Sequence, residues 1–502
     1  MPANAPASLK PAWNDPRWLP LVVTTVGSFM SILDTTIVNI ALPSVLRDFH
    51  ANLELGQLVV TSYLMALAVV IPLSGFLGER VGMKRLYMIT LAFFTFGSLL
   101  CGFAWDVNGL VAFRVIQGIG GGMLQPLGMA LVFTMITPLE RPYFMALLGI
   151  PVLIAPIVGP SLGGYLVEYS SWRMIFYINV PIGLIDIVLA AVLLKETPIR
   201  HLTKLDTRGF ALAAIAFPCL ILGLTRGSDV GWTSPTVLAL LGVGVAAFTL
   251  FVRVELTHHD PMLQVGLFKD KMFALASCTQ WIGFFSLFGL NFILPIYLQT
   301  AHGWGAAETG LALLPMGVVA FITMNLAGRM YNRVGPRPLA MSGLAVLALT
   351  TFLWSVVDEH TSIVAIMVLV GGRGLALGLF SQTVQMVAFN TVPEGQMPRA
   401  TALVNTGQRL TGALSSAVLV TALTMSLAAH GAPAGSSVTG ANHAPLGLML
   451  IAFKDMFLVM TAISFAGFGL AFFLRDRVLN AWQQEQVRGE AAMEASLEAE
   501  AG

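Results

Sequence analysis

Residues 73–86 read LSGFLGERVGMKRL, and residues 326–339 read LAGRMYNRVGPRPL. The two stretches share Leu, Gly, Arg, Val, Gly and Leu at six matching positions, and Lys84 in the first copy corresponds to Arg337 in the second. Each copy joins the end of one long apolar run to the start of the next. A charged turn that recurs once in each half of a chain indicates an internally duplicated bundle of membrane helices.

The composition also indicates a chain that lies in a bilayer. It has 502 residues, of which 56% are hydrophobic and 11% are charged, whereas soluble proteins carry roughly 25% charged residues. The three cysteines lie in separate apolar runs, so no disulfide framework or metal site is expected. The first apolar run lacks a small-residue cleavage site and continues to Pro43, so it is interpreted as a retained first span.

Fourteen apolar stretches are long enough to cross the roughly 30 Å hydrocarbon core of a bilayer. The predicted spans cover residues 19–43, 58–77, 86–105, 108–134, 144–167, 175–194, 209–225, 235–254, 272–299, 308–328, 338–356, 362–390, 400–428 and 455–474. The positive-inside rule places both termini and the basic loops in the cytoplasm. Four basic residues fall in predicted outer loops: Arg47, Arg173, Arg226 and Lys454. Three others lie within spans: Arg114, Arg373 and Arg409.

The positions of the two turns predict the domain organisation. The first turn follows span 2 and the second follows span 10, so two extra spans lie between two six-helix bundles. The predicted divisions are a cytoplasmic N-terminal segment (1–18), a first bundle (19–200), two inserted helices with linkers (201–260), a second bundle (261–475) and a cytoplasmic tail (476–502). The fold class is therefore all-α.

Asp34 and Arg114 are the candidates for proton coupling. Asp34 lies deep in span 1, where a charged residue costs about 2.5–3.5 kcal/mol on insertion scales and is expected to face a cavity or a partner. Arg114 lies in span 4, on the same helical face as Gln117 and Gln125. A carboxyl and a guanidinium whose attraction depends on protonation can act as a switch. The alternatives are a structural acid bonded to hydroxyls such as Thr35, and a structural anchor at Arg114.

The repeated turns are candidates for a conformational latch. Glu79 and the basic residues that follow it can bridge adjacent helix ends, and Gly82 and Gly335 suit a tight turn with positive φ. Asn332 stands where the first copy has Glu79, so the second turn is expected to latch more weakly. The alternative is that the basic residues only hold the loop in the cytoplasm. The candidate gate residues are Gly75, Glu79, Arg80, Gly82, Lys84, Arg85, Arg333, Gly335 and Arg337.

Other polar residues in the spans carry weaker signals. Asp186 lies deep in span 6 without a partner that the sequence identifies. An acid that snorkels or draws in water is the favoured interpretation, and contact with substrate or protons is the alternative. Arg373 has no evident acid partner. His258, His259 and Asp260 are interpreted as a solvated loop. The candidate cavity-lining residues, for which interhelical hydrogen bonding is the alternative, are Gln125, Gln280, Asn291, Gln382, Gln385, Asn405, Gln408 and Arg409.

The chain resembles the major facilitator superfamily and, within it, the fourteen-span drug:proton antiporters. The resemblance covers nearly the whole chain and rests on five motifs in order: LDTTIVNIALP (33–43), GFLGERVGMKR (75–85), RVIQGIGGG (114–122), GPSLGG (159–164) and WRMIFYINVPIG (172–183). It implies a protonatable Asp34 and a proton-relay motif that contains Arg114, Gln117 and Gly118. It also implies an antiporter motif formed by Gly159, Pro160, Gly163 and Gly164, in a span whose prolines and glycines predict a kinked, closely packed helix.

The sequence departs from the family pattern at several points. Glu79 replaces the usual Asp of the turn, and Ala146 and Ala155 replace glycines of the antiporter motif. Some relatives work with a periplasmic adaptor and an outer-membrane channel, and these often carry a longer outer loop between the last two spans. The corresponding loop, about 430–454, is short here and rich in Gly, Ala, Ser and Pro, so these partners are not firmly implied.

The expected function is proton-coupled export of drugs or other amphipathic small molecules across the cytoplasmic membrane by alternating access. The alternative is proton-coupled transport of a narrow metabolite class, inward or outward, on the same fold. A membrane enzyme is disfavoured because no nucleophile elbow, Walker loop or zinc spacing occurs. No cofactor is expected, since the proton gradient supplies the energy, and no nucleic-acid partner is expected.

Overall fold

A computed structural model describes residues 18–51, 53–137, 140–197, 199, 206–258, 261–304, 306–358, 360–432 and 445–476. All the regular structure in these ranges is helical, in sixteen α-helices and two short 3₁₀ turns, Val265–Lys269 and Glu394–Gln396. The α-helices are α1 (Trp18–Asp48), α2 (Leu53–Val81), α3 (Met83–Gly102), α4 (Val107–Phe133), α5 (Arg141–Leu148), α6 (Ile150–Tyr169), α7 (Met174–Tyr177), α8 (Asn179–Leu193), α9 (Thr207–Val230), α10 (Pro235–Thr257), α11 (Lys271–Ala301), α12 (Ala306–Val334), α13 (Pro336–Trp354), α14 (Ile363–Asn390), α15 (Met397–Ala429) and α16 (Leu446–Ala471).

The helices coincide with the predicted spans, and the all-α prediction is confirmed. Within the described ranges, thirteen helical segments are long and apolar enough to cross a membrane. The predicted fifth span, 144–167, corresponds to α5 and α6, which meet at Gly149, and the predicted sixth corresponds to α7 and α8. The total of fourteen and the side of the termini stay predictions. Residues 1–17 and 477–502, which hold most of the two predicted cytoplasmic ends, lie outside the described part.

The prediction for the last span was wrong at its start. Helix α16 begins at Leu446, nine residues before the predicted 455, and therefore contains Lys454, which was assigned to an outer loop. The adjacent charges Lys454 and Asp455 lower the local hydropathy. The apolar run that defines the predicted span therefore begins at this point. In the fold, the Asp455 carboxylate accepts a hydrogen bond from Ser426 Oγ near the end of α15.

The helix ends are set by local side chains. Asp106, Asp206 and Asp270 each accept a hydrogen bond from a backbone N–H in the first turn of α4, α9 and α11 respectively, as N-cap residues do. Gly82 and Gly335 precede α3 and α13 with φ of 97° and 85°, a backbone region that favours glycine. The predicted positive-φ turns are therefore confirmed at both copies.

The helices pack as two sets with a pair between them. Helices α1–α8 pack among themselves, α11–α16 do the same, and α9 and α10 pack against each other. Helix α9 also contacts α2 of the first set and α15 of the second. The predicted domain boundaries near 200 and 260 adjoin segments outside the described ranges, 200–205 and 259–260, so these boundaries stay predictions. We call the end of the bundle that carries Gly82 and Gly335 the motif side.

Candidate functional site

A buried polar network surrounds Asp34 in the first set of helices. Asp34 of α1 is fully buried, and Arg114 Nη1 of α4 donates to its Oδ2 at 2.5 Å. Gln117 Nε2 donates to Asp34 Oδ1 at 2.8 Å, while Gln117 Oε1 accepts from Arg114 Nη1 at 2.7 Å. The structure therefore joins the two residues proposed for proton coupling and the glutamine beside them in one cluster.

Three further residues complete this network, and the sequence did not single them out. Asn179 Nδ2 of α8 lies 3.5 Å from Asp34 Oδ1 and donates to Ser98 Oγ at 3.1 Å. The guanidinium of Arg114 lies 4.0 Å from the centre of the Tyr63 ring. Asn179 could have been found as a lone amide in the apolar run WRMIFYINVPIG, whereas Ser98 and Tyr63 have no sequence signal that separates them from ordinary helix residues.

The network can couple a proton to a change of structure. A buried carboxylate and guanidinium compensate each other, and removing one charge of such a pair leaves the other uncompensated at a cost of roughly 3–5 kcal/mol. Protonation of Asp34 would remove its charge and leave Arg114 with uncharged partners in Gln117 and the carbonyl of Val59. Because α1, α4 and α8 all contribute, a change in the protonation state of Asp34 would alter the contacts among these helices.

An ion pair joins the two sets of helices on the motif side. Arg399 Nη2 in α15 donates to Glu79 Oε2 in α2 at 3.0 Å, and both side chains are buried. Arg399 Nη1 donates to the carbonyl of Pro261 in the segment before α11, also at 3.0 Å. Gly75 makes the close approach possible, since a Cβ there would lie 2.7 Å from the Arg399 Cα. The sequence identified Glu79 and Gly75 but not Arg399, which lies 320 residues from Glu79.

A second polar connection crosses between the sets on the same side. Arg141 Nη1 of α5 donates to the carbonyl of Phe389 and to Asn390 Oδ1 of α14, each at 3.2 Å. Asn390 in turn donates to Asp476 Oδ2 at 2.8 Å, and this carboxylate also accepts from the Tyr331 hydroxyl. The motif side of the bundle is therefore closed in this structure.

The basic residues of the turns have varied surroundings. Lys84 Nζ donates to the carbonyl of Ala191 at the end of α8. Glu196 accepts from the backbone N–H groups of Lys84 and Arg85 and so caps α3, and no sequence argument identified it. Arg337 lies over the ring of Phe472 at 3.7 Å. The side chains of the other basic turn residues are exposed: Arg80, Arg85 and Arg333.

The glycines of the implied antiporter motif differ in their packing. A Cβ on Gly159 would clash with Thr36, and one on Gly163 would lie 2.7 Å from Ile37, so both glycines let α6 approach α1 closely. A Cβ on Gly164 would meet no atom within 4 Å. The side chain of Pro160 lies outside the described part of the chain. Gly118, from the implied relay motif, similarly allows α4 to approach α2 at Tyr63 and Ala66.

The candidate cavity-lining residues have different surroundings, and their role in lining a cavity stays a prediction. Gln280 is buried with no hydrogen bond at its amide within the described part, Asn405 donates to Thr401, and Asn291 is exposed and accepts from Arg373. Gln382 lies beside Gly149, where the two sets of helices meet. Gln385 is buried in α14. Four are partly exposed: Gln125, Gln382, Gln408 and Arg409.

The interpretation of Asp186 as a snorkelling acid was wrong, whereas the alternative of an acid that draws in water stays a prediction. Asp186 is fully buried between α8, α3 and α1, and its Oδ2 accepts a hydrogen bond from the Tyr87 hydroxyl at 3.4 Å. The same hydroxyl donates to the carbonyl of Val23. A Cβ on Gly27 would lie 3.2 Å from Asp186 Oδ2. The tertiary packing supplies this partner, because Tyr87 lies 99 residues away in the chain.

No cluster of three His, Cys, Asp or Glu side chains that could hold a metal occurs in the ranges that the structure describes. His259 and Asp260 of the HHD sequence, and residues 433–444 of the outer loop that bears on an adaptor, lie outside those ranges. The adaptor and channel stay predictions.

Comparisons with known proteins identify the family. The sequence profile of the Major Facilitator Superfamily matches residues 24–416. The chain is 32% identical over 491 residues to the "Uncharacterized MFS-type transporter YhcA" of Bacillus subtilis (strain 168), covering 91% of this chain and 92% of that protein. It is 30% identical over 429 residues to the "Multidrug export protein EmrB" of Escherichia coli (strain K12), covering 84% and 83%.

A solved structure shows the same fold. The crystal structure of the human organic anion transporter MFSD10 (TETRAN) superposes with a TM-score of 0.65 at 14% identity, over 91% of this chain and 100% of that one. With the apolar helices and the profile match, these similarities make the protein a multi-pass membrane transporter and not an enzyme. The chain belongs to the Major Facilitator Superfamily and is similar to multidrug efflux permeases of that family.

Proposed function

We propose that this transporter is a proton-coupled antiporter that exports drugs or other amphipathic small molecules from the cytoplasm by alternating access. The observation that carries the proposal is the Asp34–Arg114–Gln117 cluster, a fully buried carboxyl held by partners from a neighbouring helix. The named multidrug relatives support the substrate class. The motif side is proposed to face the cytoplasm, and the membrane is proposed to be the cytoplasmic membrane.

The geometry suggests how one cycle would proceed. The ion pair between Glu79 and Arg399 closes the motif side, and substrate and protons then exchange with the opposite side. A proton that reaches Asp34 from that side weakens its attraction to Arg114, and the two sets of helices can then rock. One charge that moves through 100 mV yields about 2.3 kcal/mol. At about 1.36 kcal/mol per decade, that supports a roughly 50-fold substrate gradient.

The test is Asp34→Asn in everted membrane vesicles from a host that lacks its own efflux pumps. A pH-sensitive acridine dye reports the proton gradient, and a panel of toxic amphipathic compounds serves as substrates. We expect the parent to release protons when a substrate is added and Asp34→Asn to show no substrate-dependent proton movement. Glu168→Gln, which removes an exposed acid at the end of α6, is the matched control. Equal proton movement and equal resistance in the parent and Asp34→Asn would show that Asp34 is not the coupling site.

A further inference from the structure

Two arginines in the second set of helices have no acid partner among the described residues. Arg373 of α14 is fully buried, and its Nη2 donates to the carbonyl of Leu287 and to Asn291 Oδ1, each at 3.1 Å. Its Nε and Nη1 have no hydrogen-bond partner there. Arg409 of α15 is partly exposed and forms no hydrogen bond or ion pair with a described residue. A guanidinium removed from water and left unpaired is unfavourable, so an anion from outside the chain would stabilise it.

The two sets of helices differ in what partners the arginine of the fourth helix. In each set, an arginine of the fourth helix reaches the first helix: Arg114 of α4 meets Asp34 of α1, and Arg373 of α14 meets Asn291 of α11. The first pair is neutral as a whole, because the carboxylate cancels the guanidinium. The second pair keeps a full positive charge, because an amide oxygen accepts a hydrogen bond without a charge.

Arg409 faces the space between the two sets. Thr401, Asn405 and Arg409 are spaced by four residues and so share one face of α15. Thr401 Oγ1 donates to the carbonyl of Pro126 in α4, which directs this face towards the first set. Arg409 lies ten residues, or about 15 Å, along α15 from the ion pair at Arg399.

No acid in the described helices forms an ion pair with Arg373 or Arg409. Asp34 is paired with Arg114, and Asp186 lies between α8, α3 and α1. In α11–α16, Glu308 stands in the first turn of α12, and Asp455 is bonded to Ser426. The middle of the second set therefore carries positive charge. On α15, three residues after Arg409, a Cβ added at Gly412 would lie 3.6 Å from the exposed ring of Phe288, so an apolar surface lies near the cation.

We propose that the space between the two sets of helices binds amphipathic organic anions, with Arg409 holding a carboxylate and Arg373 with Asn291 supplying a second positive and polar group. The inference rests on the proposed export function, since it names the substrate class of that transporter. A guanidinium matches a carboxylate with two parallel hydrogen bonds, which a lysine cannot reproduce. The apolar body of the ligand packs against Phe288 of α11.

The test is binding of three dansyl probes that share one fluorophore and differ in one end: dansyl-γ-aminobutyrate, its amide and dansylcadaverine. Fluorescence anisotropy on the purified full-length chain in detergent gives each dissociation constant without a proton gradient. We expect the carboxylate to bind at least 10-fold more tightly than the amide, a difference of about 1.4 kcal/mol, and the amine to bind most weakly. Arg409→Gln should abolish the preference for the carboxylate, and Arg409→Lys should retain only part of it.

Controls separate this inference from folding and from proton coupling. Arg253→Gln removes an exposed charge of α10 and should leave all three affinities unchanged. The probe affinities of Arg373→Gln are compared with those of Arg373→Lys, and the folding of each variant is checked by thermal unfolding and gel filtration. Binding of the amine as tightly as the carboxylate, or a change of less than twofold in the carboxylate affinity of Arg409→Gln, would overturn the inference. If the purified chain prefers the carboxylate probe but Asp34→Asn still moves protons in vesicles, the proposal that Asp34 couples protons is wrong. The proposed anion site is then still supported.

Discussion

Arg399 Nη2 lies 3.0 Å from Glu79 Oε2, and this buried ion pair connects the C-terminal end of α2 with the N-terminal end of α15. It joins a residue of the first repeated turn to a helix of the other half of the chain. The conformation of the transporter and this contact are therefore linked, because the two sets of helices cannot separate on the motif side while the pair is intact.

Exchanging the two charges tests that link. Arg399→Gln and Glu79→Gln each remove one charge of this buried pair, a change that costs roughly 3–5 kcal/mol, and separation of the helices relieves part of that cost by admitting water. We expect each single variant to lose at least about 90% of transport in vesicles. The double exchange Glu79→Arg with Arg399→Glu should recover a large part of it. If the double exchange is no better than the single variants, the two residues act independently.

Gly75→Ala tests whether close contact of α2 and α15 is required. The added Cβ would lie 2.7 Å from the Cα of Arg399 and from the carbonyl oxygen of Pro398, and backbone atoms cannot rotate away as a side chain can. Overpacking of this kind costs typically 1–3 kcal/mol, here only in the closed state. We expect transport to fall about 10-fold at unchanged expression. Gly469→Ala, where a Cβ meets no atom within 4 Å, should transport as the parent does.

The glycines of α6 are expected to differ in importance. Gly159→Ala places a methyl group against Thr36 of α1, whose branched side chain has few alternative rotamers in a helix. Thermal unfolding in detergent should show a lower midpoint for Gly159→Ala and a reduced transport rate. Gly164→Ala, in the same motif, adds a methyl group in open space and should match the parent in both measurements. Equal effects at both positions would contradict the packing argument.

The contact between Tyr87 and Asp186 is expected to be structural. Tyr87→Phe removes the hydroxyl that donates to Asp186 Oδ2 and to the carbonyl of Val23, and buried polar atoms left unsatisfied cost about 1–3 kcal/mol. Asp186→Asn keeps an oxygen that accepts from the hydroxyl and should change stability by less than about 1 kcal/mol. Thermal unfolding measures both. If Asp186→Asn instead abolishes proton movement in vesicles at unchanged stability, Asp186 belongs to the coupling machinery.

Much of the site could be predicted from residue type and position. Asp34 and Arg114 stand out because charges are rare within apolar spans, and the expectation that a buried arginine needs an acid pointed from one to the other. Glu79 and Gly75 stand out because their turn is repeated. Arg399 has no such signal, since it follows a turn at the start of a helix, where a basic residue is ordinary.

The sequence by itself determined the helices, their order and the duplicated turn, because apolar length, charge and glycine act over a few neighbouring residues. Only the tertiary structure decided which distant residues meet: Arg399 with Glu79, Tyr87 with Asp186, and Asn291 with Arg373. The physical reason is that these contacts depend on the rotation of each helix about its axis and on its depth beside its neighbours. A shift of one residue turns a side chain by about 100°, and close packing among all the helices sets that angle.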